Sequence, residues 1–187
     1  MKRFFYVLAC GLIALLVQAP SVAAQNSIEI ETARIEKNRE DYVLFAKVTL
    51  NLTRGLENAL MSGVPIYFTT DVEMARPRWY WFNEKAADTK QTVRIAYNVL
   101  TRQFVGAIGE GLQRNFRTLD EALSLVRSPP RWVVAEKKEL SVGQTYEVAV
   151  RVRLDISQLP KPFQINAINN RDWRLSSDWK RFSYTAQ

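Results

Sequence analysis

Residues Thr145 to Leu154 alternate without a break: Tyr146, Val148, Val150, Val152 and Leu154 share one face, and Glu147, Arg151 and Arg153 share the other. Side chains of a strand point to opposite faces in turn, so a period of two marks a strand with one face in a core and one in water. Tyr42 to Leu52 repeats the pattern, with Tyr42, Leu44, Ala46, Val48, Leu50 and Leu52 on one side and Lys47, Thr49 and Asn51 on the other. A chain with two such segments is committed to sheets that are apolar on one face only, which is the habit of antiparallel structure.

The remaining segments fit that frame. Ile28 to Ile35 reads as a first strand, closed by the charged turn Lys37 to Asp41. Thr53 is placed to cap a short helix carrying Leu56, Ala59 and Leu60, which Gly63 and Pro65 end. Val64 to Phe82 is a long β-prone run interrupted at Pro77, and Thr92 to Tyr97 is its expected hairpin partner across a polar turn at Asn83 to Thr89. Phe104 to Ile108 and Leu112 to Arg117 flank the turn Gly109-Glu110-Gly111. Thr118 and Glu121 form a capping box for a helix whose apolar face is Leu119, Ala122, Leu123 and Val126, and Pro129-Pro130 stops it. Trp132 to Ala135 is a further strand, and Trp173 and Trp179 fall in one or two closing strands that reach about Tyr184. In Leu159 to Gln164, Pro160 and Pro162 predict an extended, polyproline-like path. About nine strands, two short helices and no βαβ alternation predict a mainly β, antiparallel sandwich of the immunoglobulin-like kind, with a closed barrel as the alternative.

The N-terminus reads as an export signal: Lys2 and Arg3, the apolar run Phe4 to Val17, Pro20, and small residues for cleavage after Ala24. The apolar run is shorter than the roughly 20 residues a spanning helix needs, so an uncleaved membrane anchor is the alternative. A single domain, residues 25–187, follows, located in the periplasm. Cys10, the sole cysteine, goes with the signal, so the exported chain has no thiol for disulfides, zinc or nucleophilic catalysis. Loss of Lys2 and Arg3 lowers the formal charge from +7 by two, to +5. A basic domain outside the cytoplasm meets proteins, envelope components or anionic membrane surfaces rather than nucleic acid.

Much chemistry is excluded. The chain has no His, so imidazole bases, His triads and His metal sites are absent. No glycine-rich phosphate loop follows a strand, and no cofactor or metal is expected. Ser177 and Lys180 have Ser-x-x-Lys spacing, but that motif works on a helix and here falls in an expected strand. Asp71 and Glu73 share a strand face, a spacing open to holding a cation or forming an acid/base pair, but are read as an ordinary solvated face near Arg76 and Arg78.

The densest stretch is Arg76-Pro77-Arg78-Trp79-Tyr80-Trp81-Phe82. Continued strand alternation sends Trp79 and Trp81 to one face, expected in the core, and Arg76, Arg78, Tyr80 and Phe82 to the other. The second set, joined by the rigid segment Pro160, Lys161, Pro162 and Phe163, is the candidate binding surface. The expected activity is a non-catalytic binding module, with a carboxylate-dependent envelope hydrolase or lyase as the alternative.

Several segments carry a family resemblance: Gly63-Val64-Pro65-Ile66-Tyr67-Phe68, Arg78-Trp79-Tyr80-Trp81, Tyr97 to Gln103, Phe116-Arg117-Thr118-Leu119, Arg151 to Asp155, Leu159 to Gln164, Asp172-Trp173 and Ser177-Asp178-Trp179. In these the chain resembles the bacterial envelope family known as domain of unknown function 4390. The resemblance implies an exported domain with no assigned active site, genetically associated with a membrane sensor kinase of the nitrogen-regulation type. It therefore suggests a partner in the outer part of such a kinase.

Overall fold

The computed structural model describes residues 28–39, 41–80 and 83–187, apart from the side chains of residues 166, 168, 169 and 171. The expected N-terminal signal lies outside these residues. The described chain is mainly β, in two antiparallel sheets. The smaller sheet has the order β1-β2-β7, made of β1 (Ile28–Asn38), β2 (Asp41–Leu50) and β7 (Trp132–Glu136). The larger has the order β6-β5-β4-β3-β8-β9, made of β3 (Ile66–Arg76), β4 (Glu84–Asn98), β5 (Gln103–Ile108), β6 (Arg114–Phe116), β8 (Thr145–Leu154) and β9 (Lys180–Thr185). Among the described residues no closed barrel forms, because β6 and β9 end the larger sheet and β1 and β7 end the smaller.

One core cluster joins the sheets. The inward residues of β3 (Ile66, Phe68, Val72 and Met74) are at most 1% exposed and meet Val148, Val150 and Val152 of β8 on one side and Val93 and Ile95 of β4 on the other. Tyr42 on β2 reaches the other sheet through an edge-to-face contact with Tyr184 on β9, 5.9 Å between ring centres. The period-two reading of Thr145 to Leu154 holds along β8 except at Ala149, which is buried on the outer face.

Three α-helices cover gaps in this frame, one more than expected: α1 (Arg54–Met61), α2 (Leu119–Arg127) and α3 (Lys161–Asn169). In α1 the buried Thr53 hydroxyl accepts from Leu56 N–H at 3.2 Å and donates to Asp172 C=O at 3.1 Å, so one side chain caps the helix and ties it to the tail. In α2 Thr118 accepts from Glu121 N–H, but the Glu121 carboxylate reaches past the cap to Arg117 N–H, 3.0 Å away. Here α2 packs on β5 at Gly106, where an added Cβ would lie 2.5 Å from Leu125 Cδ1 and 2.9 Å from Phe116 Cε2. No helix among the described residues is long and apolar enough to cross a membrane.

Three expectations are corrected. The segment after Leu159 is helix α3, not an extended path: the Pro160 carbonyl accepts from Phe163 N–H at 2.9 Å, and Pro162 sits in the first turn, where an N–H has no intrahelical partner to lose. Trp173 lies in a 3-10 turn and is buried, and Ser177 to Trp179 precede β9 rather than belonging to a strand. β3 ends at Arg76 and Glu84 onward is already β4, pairing Arg76 with Glu84 and Val72 with Thr89, so Asn83 to Thr89 is not the turn. A polar ladder in which only Ala87 is buried before Val93 lacks the apolar alternation by which a strand is recognised.

Candidate functional site

Pro77 has no N–H to give the ladder, and β3 stops one residue before it. The next residues form the tip of the β3–β4 hairpin, beyond the last β3–β8 pair at Ala75 and Glu147. Trp79 is 94% exposed and Tyr80 65% exposed, their rings meeting edge-to-face at 5.2 Å. Trp79 is thus not a core residue. The expected alternation fails because the strand has ended at Arg76, before Trp79 and Tyr80, whose aromatic composition imitates that of a strand. Trp81 and Phe82 lie outside the described residues.

Arg76 and Arg78 converge on one carboxylate. The NH2 nitrogens of both bond Oε2 of Glu84, the cross-strand partner of Arg76. Hydrogen bonds from Arg78 and then Arg76 hold the Glu84 carboxyl below its ordinary value of 4.5. This clasp straddles the tip with two cations and one anion, and so leaves one positive charge beneath the aromatic pair. Sequence reasoning missed Glu84 because it placed the turn too late; with the strand ended at Pro77, Glu84 becomes the first residue able to face Arg76. Beside the clasp a hollow of about 200 Å³ is lined by Arg76, Glu84, Lys85, Ala86, Glu139, Ser141 and Tyr146.

The two halves of the expected surface are not together. Leu154, the end of β8, pairs with Phe68, eight residues along β3 from Arg76. At about 3.3 Å per residue, roughly 26 Å of strand separates the tip from the chain that leads into α3. There Pro160, Lys161 and Pro162 are exposed, while Phe163 is half-buried against Trp173, 5.7 Å between ring centres. Phe163 is therefore part of the packing of α3 onto the tail.

The expected carboxylate pair is also rearranged. Asp71, 16% exposed, accepts from Arg151 NH2 at 3.1 Å and Arg153 Nε at 3.0 Å on the adjoining strand, rather than facing Arg76 and Arg78. Arg153 also reaches Asp155 at 3.6 Å. Burial disfavours the Arg153 charge more than any single contact favours it, but the Asp71 and Asp155 carboxylates together outweigh burial, and the net direction is upward. Glu73 stays exposed on the same face. The Ser177 hydroxyl is likewise occupied, accepting from Val152 N–H at 3.0 Å and donating to Asp178 C=O at 2.9 Å. No group of three or more Cys, Asp or Glu side chains is placed to hold a metal among the described residues.

No curated protein and no solved structure matches the chain. A family model does, over residues 25–183, under the description Domain of unknown function (DUF4390). That match spans most of the chain and takes in every strand and helix described above except the last two residues of β9. The chain belongs to the DUF4390 family.

Proposed function

We propose that the protein is an exported, periplasmic binding module and that the β3–β4 hairpin tip is its recognition element. The observation that carries the reading is the 94% exposure of Trp79 at the end of a paired hairpin. A Trp held in water gives up a large burial energy, and aromatic and Arg side chains are the types that anchor interfaces. Tyr80 beside it and the Arg76–Glu84–Arg78 clasp beneath it add to the same patch. The two sheets, sharing one core, serve in this reading as an immunoglobulin-like sandwich that presents the tip. An envelope component is the partner, either the membrane surface or a protein such as the outer part of a membrane sensor kinase.

A photocrosslinking residue in place of Tyr80 tests the reading. It is expected to yield a discrete adduct in the envelope, which the same probe in place of Leu100, 94% exposed on the β4–β5 turn, does not. Equal adducts from both positions, or none from position 80, would overturn the proposal.

A further inference from the structure

The shape and charge of the tip indicate what kind of surface it meets. Trp79 and Tyr80 point outward from the end of a hairpin, so the feature is convex. A peptide is ordinarily held in a groove, with its own side chains entering pockets. The hollow beside this tip offers no apolar slot, since charged and polar side chains make up most of its lining. A convex aromatic pair suits a deformable partner into which it can sink. Trp and Tyr are the residues that settle at the boundary between headgroups and acyl chains, with the ring body in the apolar layer and the N–H or O–H in the wet one.

Charge points the same way. The exported chain carries a formal net charge of +5, the full chain's +7 less Lys2 and Arg3, and the clasp a net charge of +1, from Arg76, Arg78 and Glu84. Basic groups around an aromatic anchor are drawn to anionic lipid, at about 1 kcal/mol for each Lys or Arg close to the surface.

We propose that the β3–β4 tip docks on an anionic phospholipid bilayer, with Trp79 and Tyr80 inserted at the headgroup boundary and Arg76 and Arg78 against lipid phosphates. This rests on the tip being the recognition element, and specifies its partner as the membrane surface itself. Insertion leaves the two sheets standing off the bilayer, free to engage a second component.

The test uses a chain beginning at Gln25, which keeps the whole core cluster from Ile28 to Ala186 and omits the apolar N-terminal run. Co-sedimentation is measured with vesicles of phosphatidylglycerol and phosphatidylcholine, and with phosphatidylcholine alone. The wild type is expected to partition onto the anionic vesicles, less so with added salt. Trp79→Ala with Tyr80→Ala should lower that partition about tenfold or more, as expected for withdrawing two half-immersed rings. Trp79→Phe with Tyr80→Phe should retain most of it, and Leu100→Ala should change nothing. Failure of the wild type to bind anionic vesicles, or equal binding by the double Ala variant, overturns the inference. If vesicles fail while a probe at position 80 still crosslinks one protein, the tip recognises a protein: the lipid assignment falls and the functional reading stands. If both fail, both fall.

Discussion

The guanidinium of Arg151 lies over the ring of Trp179, 4.4 Å from its centre. Arg151 also donates to Asp71 at 3.1 Å, while its Nε is buried without a hydrogen-bond partner. The indole thus fastens the segment before β9 onto the outer face of the larger sheet, over the Arg151 guanidinium that Asp71 already holds. Cation–π contacts of this partly desolvated kind contribute about 1–2 kcal/mol. Trp179→Ala should therefore lower stability by about that amount, seen as a shift in the urea midpoint with an unchanged slope. Trp179→Phe should recover part of the loss.

Gly106 is where the helical layer comes closest to the sheet. A methyl group there would press on Leu125 of α2 and Phe116 of β6, both at less than ordinary contact distance. Overpacking of this kind costs about 1–3 kcal/mol, so Gly106→Ala is expected to lower the melting midpoint. Gly106→Ala combined with Leu125→Ala should lose less than the sum of the two single changes, because the second makes room for the first.

Stability should be flat with pH across the neutral range. The chain has no His, so no side chain with an ordinary pKa changes charge between about pH 5.5 and 8. The groups that matter are carboxylates. Lys47 and then Thr49 hold Glu31 below 4.5, and Arg78 and then Arg76 do the same for Glu84. Both bind protons more weakly folded than unfolded. Their contribution is complete above the unfolded value near 4.5 and is lost as pH falls through the lower folded value. A melting curve series should show a plateau that declines only on the acid side of that value. A step between about pH 6 and 7 would contradict it, because no side chain is available to produce one.

The sheets were legible in the sequence where one face is buried. β2 and β8 announce themselves because water on one side and core on the other impose a period of two, and Thr53 and Thr118 mark the starts of α1 and α2 by their chemistry. The first half of β4 was not legible, because a ladder with few buried residues has no apolar alternation. Nor was α3, whose two prolines read as extended chain until their place in the first turn is known. The union of Asp71 with Arg151 and Arg153 depends on the β3–β8 register, which pairs residues 80 and 82 positions apart. At the site, Arg76, Arg78 and Tyr80 could be chosen from composition. Trp79 was assigned inward because aromatic residues usually pack, and only the strand end at Pro77 shows that it does not.

The central claim is that Trp79 and Tyr80 exist for recognition and not for the fold. The most direct measurement compares wild type and the Trp79→Ala/Tyr80→Ala variant for envelope-component capture by chemical crosslinking, alongside the urea midpoint of each. Exposed surface positions usually change stability by no more than about 0.5 kcal/mol, so the midpoints should coincide while capture falls to background. Undiminished capture by the variant, or a large loss of stability, would contradict the account.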